Sequence, residues 1–121
     1  MIAVILASGA LDRLYTGLSL LVCTAAEGEP ARGLVTFDAL APVLDEGLEA
    51  RATAERGALF GRTLAELRAT AQELPECRLW ACAAAVETLG GDRAAIDARL
   101  EGVLSTPRFL ADTAGARLVV V

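Results

Sequence analysis

The chain of 121 residues contains no histidine, and its eleven basic residues are all arginines. Without an imidazole, Ser-His-Asp and Cys-His nucleophilic arrangements are excluded, as are most catalytic zinc sites. The arginines stand singly, with no cluster that could track a phosphate backbone, and the net charge is −5. Nucleic acid is therefore not an expected partner. Long apolar runs are also missing. A membrane-spanning helix needs about 18 consecutive apolar residues, whereas the longest candidate, Leu18 to Ala26, is short and contains Ser19 and Thr24. The opening "MIAVILASG" has no basic n-region and meets Asp12 and Arg13 at once, so neither a signal peptide nor a membrane association is expected. These readings predict a cytoplasmic protein. No Pro- or Ser-rich linker interrupts the chain, which reads as one domain over residues 1–121.

What is present is aliphatic. Hydrophobic residues make up 55% of the chain against 22% charged, enough to build a core and to argue against disorder. "MIAVILA" reads as a buried strand closed by Ser8-Gly9. Leu11, Leu14, Tyr15, Leu18, Leu21 and Val22 follow at helical spacing toward Gly28, with Cys23 expected to pack inside that helix. A second strand is expected at roughly Gly33 to Phe37, with Asp38 capping the helical piece "ALAPVL". Residues 46–58 mix charge, alanine and two glycines, and read either as a frayed helix or as a mobile lid. The acidic residues Glu46, Glu49 and Glu55 lack ligand spacing and read as a solvated face. Phe60, Leu64, Leu67, Ala71 and Leu74 form the stripe of a helix that Pro75 stops. "CRLWA" is a third strand, in which Trp80 shares the parity of Arg78 and Cys82 and reads as packing. The helical "AAAVETL" ends at Gly90-Gly91. Asp92 caps a helix whose stripe is read as Ile96, Leu100, Val103 and Leu104, "STPRFLADTAG" is a further short helix with Pro at its first turn, and "ARLVVV" closes the chain as a strand.

Strands alternating with helices predict an α/β fold, a doubly wound parallel sheet of four to five strands with helices on both faces. In such sheets the functional site lies beyond the carboxyl ends of the strands, where strand order reverses. With an order of 2-1-3-4 that point falls between the first and third strands, which gathers Ser8, Gly9, Phe37, Asp38 and Cys82. Ser8-Gly9 lacks a phosphate-binding G-x-G-x-x-G pattern and reads first as a strand-to-helix turn. Three cysteines without an export signal read as free thiols. Cys77 and Cys82 on one strand would stand about 17 Å apart with opposite parity, so they cannot form a redox pair. Cys82 is the candidate nucleophile. A helix starting at Ala83 points its unpaired N–H groups toward the sulfur and favours thiolate, suited to attacking a persulfide or holding a transferred sulfur. The plain alternative is a small apolar residue filling space.

The order of elements, the phrase "GLVTFDALAPVL" and above all "ACAAAVETLG" resemble the DsrE/DsrF-like family of small sulfur-relay and sulfur-carrier proteins. A strand ending in Ala-Cys with a glycine eight residues later matches Ala81, Cys82 and Gly90, and the likeness runs over essentially the whole chain. The sequence departs from familiar members in placing alanines where a hydroxyl and a methionine often follow the cysteine. The resemblance implies a flavodoxin-like sheet, assembly into trimers or hexamers, and persulfide transfer through Cys82 between a sulfur donor and an acceptor protein; no metal or cofactor is expected. Helices as apolar as "LDRLYTGLSLLVC" also suggest a homo-oligomer that covers them. The alternative function is a non-catalytic oligomeric module binding a small ligand or protein at the cleft.

Overall fold

The computed structural model describes residues 1–121. In chain order the elements are β1 (Ile2–Leu6), α1 (Leu11–Ala26), β2 (Ala31–Val35), a 3-10 turn (Phe37–Ala39), α2 (Leu40–Leu44), α3 (Leu48–Arg56), α4 (Ala58–Glu73), β3 (Cys77–Cys82), α5 (Ala83–Leu89), α6 (Arg93–Arg99), β4 (Val103–Leu104), α7 (Thr106–Asp112) and β5 (Arg117–Val120). The fold is α/β, with a five-stranded, all-parallel sheet in the order β4-β3-β2-β1-β5.

The chain steps from β1 to β4 in one direction. Right-handed crossovers therefore lay their helices on one face of the sheet. There α1 buries Leu11, Leu14, Leu18 and Leu21, and Leu21 meets Leu79 of β3 over the bare backbone of Gly33. The long helix α4 packs on α1 and β3. The Arg68 guanidinium ties α4 to α2 through the carbonyls of Val43 (3.1 Å) and Asp45 (2.6 Å), and Gln72 Nε2 donates to the Ala98 carbonyl of α6. The return from β4 to β5 runs the other way, which places α7 on the opposite face with Phe109 buried beneath it. The apolar stripe of α1 thus packs inside its own chain and does not need a second copy to cover it.

Residues 46–58 hold a helix, not a lid. Leu48 and Ala52 of α3 are fully buried, and α3 lies against α4 where a Cβ on Gly61 would meet the Glu49 carbonyl oxygen at 2.8 Å as well as the Thr53 side chain. Only a glycine lets the two backbones come this close. Two further expectations change. Val103 and Leu104 do not continue the α6 stripe, because α6 ends at Arg99 and these residues pair with Ala81 and Cys82 as β4. The second strand lies at Ala31–Val35, so Phe37 belongs to the 3-10 turn beyond it. The cap assignment at Asp92, which accepts from the N–H groups of Ala94 and Ala95, holds, and the last helix is capped by Ser105, which accepts from the N–H of Arg108.

Candidate functional site at the carboxyl edge of the sheet

Leu6, Val35 and Ala81 share one register row at the carboxyl ends of β1, β2 and β3. One residue further on come Ala7, Thr36 and Cys82. Thr36 is pinned by its N–H (2.9 Å) and hydroxyl (3.3 Å), both donating to the Leu6 carbonyl. Cys82 is the N-cap residue of α5, in extended conformation (φ −66°, ψ 126°). Its sulfur therefore sits where β3 gives way to a helix, as its sequence context predicts. The run Ala83-Ala84-Ala85 has no bulk, so α5 settles onto the 3-10 turn after β2 with Ala85 fully buried.

The polar neighbour of the thiol comes from the other end of the site's sequence. Because Leu104 pairs with Cys82 in β4, the chain re-enters the site, and Ser105 and Pro107 start α7 at that point. The hydroxyl of Thr106 then stands 3.7 Å from Cys82 Sγ. Sequence reasoning missed Thr106. The signal for it was the Ser-Thr-Pro helix start, but only the β4 pairing brings it to the sulfur.

Cys82 is only 2% exposed, so the thiol is enclosed and does not stand at the surface. The carboxyl edge of β3 and β4 is closed over it by α5 and the first turn of α7. The sole solvent-exposed thiol is Cys23, on the outward side of α1, so the packing role expected for it is overturned. Cys77 is buried at the entry end of β3, and burial pushes its thiol up to about 11, with Arg32 opposing only in part. It remains a neutral thiol at neutral pH.

The turns after β1 and β2 do meet. A Cβ on Gly9 would lie 2.6 Å from the Asp38 carbonyl oxygen, so glycine is required there. Ser8 accepts from the Ala10 N–H at 3.1 Å, a local turn bond. Asp38 makes no side-chain cap bond and lies within the 3-10 turn, not ahead of it. Phe37 is the one non-glycine residue with positive φ (33°), and the residue is 43% exposed. Holding an aromatic in that conformation costs roughly 1–3 kcal/mol. Phe37 and Asp38 stand one strand away from Cys82, while Ser8 and Gly9 are two strands away, roughly 10 Å. Strand order reverses between β1 and β5, not between the first and third strands, so Cys82 at the end of β3 lies two strands away from the reversal point. Trp80 is half-buried on the same sheet face as Arg78 and Cys82.

The two cavities lie elsewhere. An open cleft of about 570 Å³ sits at the amino ends of β1 and β5, between Glu27, Glu29, Gly115 and Arg117. A smaller one of about 220 Å³ lies between β3, α4 and the end of α6, beside Cys77 and Arg99. No three His, Cys, Asp or Glu side chains converge in a way that could hold a metal ion, and no helix is long and apolar enough to cross a membrane. At Cys82 itself the chemistry available is that of one enclosed thiol with one hydroxyl partner. Compared with protein-family models and with curated proteins, the sequence matches none.

Proposed function

We propose that the protein is a sulfur carrier in which Cys82 accepts and hands on a sulfane sulfur as a persulfide. The observation that carries this reading is the placing of Cys82 Sγ at the start of α5, 3.7 Å from the Thr106 hydroxyl. A thiolate there attacks the outer sulfur of a donor persulfide R–S–SH. The new bond joins Cys82 Sγ to that sulfur, the donor S–S bond breaks, and R–S⁻ leaves, so Cys82–S–SH forms with no net oxidation. An acceptor thiolate then takes the outer sulfur and regenerates the Cys82 thiolate. The Thr106 hydroxyl can donate to the sulfur anion at each stage. Donor and acceptor are thiol proteins, and the carrier works as a homo-oligomer, a trimer or hexamer, in the cytoplasm.

Enclosure suits a carried persulfide, whose outer sulfur stray thiols would otherwise remove. Access then needs a local opening. The weakest cover is β4, a strand of two residues that holds the start of α7 in place, and short pairings of this kind open at low free-energy cost.

The test is mass spectrometry after brief exposure to glutathione persulfide, using a Cys23→Ser/Cys77→Ser protein. Gain of one sulfur atom at Cys82, lost in the added Cys82→Ser, supports the carrier. A folded protein that takes up no sulfur at Cys82 overturns it. The near-complete burial of Cys82 favours, as a second reading, a non-catalytic binding module with a small ligand or protein partner at the turns after β1 and β2, and that negative result would leave it standing.

A further inference from the structure

All-parallel sheets are covered by helices on both faces. Here the second face has only α7, a helix of seven residues and so about 10 Å long, beneath a sheet whose five strands span roughly 19 Å. What it fails to cover is of two kinds. On the β5 side, Leu118 is 51% and Val120 61% exposed, and Leu110 on the outer side of α7 is 45% exposed. On the β3 side, Arg32 and Arg78 are register partners on the same face, followed along β3 by the half-buried Trp80. The Arg32 side chain reaches only the carbonyls of Ala31 and Glu76, the Arg78 side chain makes no hydrogen bond, and neither arginine is in any of the chain's ion pairs.

Two like charges side by side on neighbouring strands repel one another. Carboxylates brought from outside the sheet would relieve that repulsion. Aliphatic side chains, a tryptophan and arginines together also form the composition typical of a protein interface. The chain itself is such a source of carboxylates. It carries sixteen Asp and Glu residues against eleven arginines, and only Asp12, Glu29, Glu55 and Asp112 are in ion pairs.

We infer that a second copy of this chain covers the face of the sheet that α7 leaves open, with apolar contact at Leu118 and Val120 and its carboxylates against Arg32 and Arg78. The inference names the surface of the assembly proposed above and is independent of the sulfur chemistry. It is tested by sedimentation velocity over a range of concentration and salt, on wild type, Val120→Asp and Arg78→Glu, with circular dichroism to verify folding. Leu118→Gln, a milder change on the same side, replaces Val120→Asp if that variant does not fold. Wild type is expected to sediment above its 12.5 kDa chain mass and to associate less tightly in high salt, and both variants are expected to associate at least tenfold more weakly. A wild-type monomer at every concentration overturns the inference and the proposed assembly together. An oligomer that the substitutions leave intact overturns this surface alone.

Discussion

Cys82 Sγ and Thr106 Oγ1 lie 3.7 Å apart across 24 residues of sequence. The contact exists because a strand of two residues returns the chain to the end of β3. The hydroxyl is the only side-chain hydrogen-bonding partner of that sulfur, and replacing it should be felt there before it is felt in stability. Thr106→Val, nearly isosteric, is expected to slow sulfur uptake at Cys82 on the order of tenfold, the worth of one hydrogen bond to an anionic sulfur. Thr106→Ser should restore most of it. Stopped-flow uptake from glutathione persulfide, measured against pH for the three proteins, checks this. Equal rates in Val and Ser variants would remove Thr106 from the chemistry.

The thiols should divide by enclosure. Cys23, exposed on α1, is expected to react first with a bulky disulfide reagent in the native protein, and Cys77 last, since it is both buried and held as the neutral thiol. Cys82 should react between them, at a rate set by local opening and independent of reagent concentration once the reagent is abundant. Peptide mapping of a labelling time course gives the order. Labelling of Cys82 ahead of Cys23 would contradict the enclosure described here.

Burial of Cys77 makes stability depend on alkaline pH. Its thiol is pushed up to about 11 in the folded protein, while in the unfolded chain it ionises near the ordinary thiol value. Below the unfolded value both states hold the proton and nothing is lost. As pH rises from about 9 to about 11 the unfolded state gains the thiolate first, and stability should fall by roughly 2–3 kcal/mol. Urea titrations at pH 8 to 11 should show this decline in wild type, and Cys77→Ala should flatten it. The same slope in both proteins would assign the loss to other groups.

The α3–α4 contact is a close backbone approach centred on Gly61. Gly61→Ala sets a methyl against the Glu49 carbonyl and the Thr53 side chain, and should cost about 1–3 kcal/mol, the usual range for overpacking. Adding Thr53→Ala should recover only part of this, because the carbonyl cannot be trimmed away. A shift in denaturation midpoint for the single and double variants measures both. Full recovery in the double variant would show that backbone contact is not the limit.

Several features of this protein follow from local sequence alone. Buried runs such as "IAVIL" and stripes such as Leu11, Leu14, Leu18 and Leu21 carry their own period, so strand and helix can be assigned without a tertiary partner, and with them the α/β class. Asp92 and Ser105 announce helix starts because a side-chain oxygen satisfying the free N–H groups is a local event. The placing of Cys82 at a strand-to-helix junction was legible for the same reason. The exposure of Cys23 could also have been read, since two residues beyond the buried Leu21 a side chain points about 200° round the helix.

Other features were settled only in three dimensions. Val103 and Leu104 have no period of their own over two residues, and they became a strand because the open edge of β3 offered hydrogen bonds. The helix α3 hid among alanine and charge because its stability comes from contact with α4 and the core, not from a strong apolar stripe. Strand order could not be read from strands that are alike in composition. Pairing of β5 with β1 moved the reversal point away from Cys82. The enclosure of Cys82, its Thr106 partner and the strained Phe37 beside it all depend on which distant segments cross the carboxyl edge. Local periodicity fixes the elements, but long-range pairing and packing decide what surrounds a reactive atom.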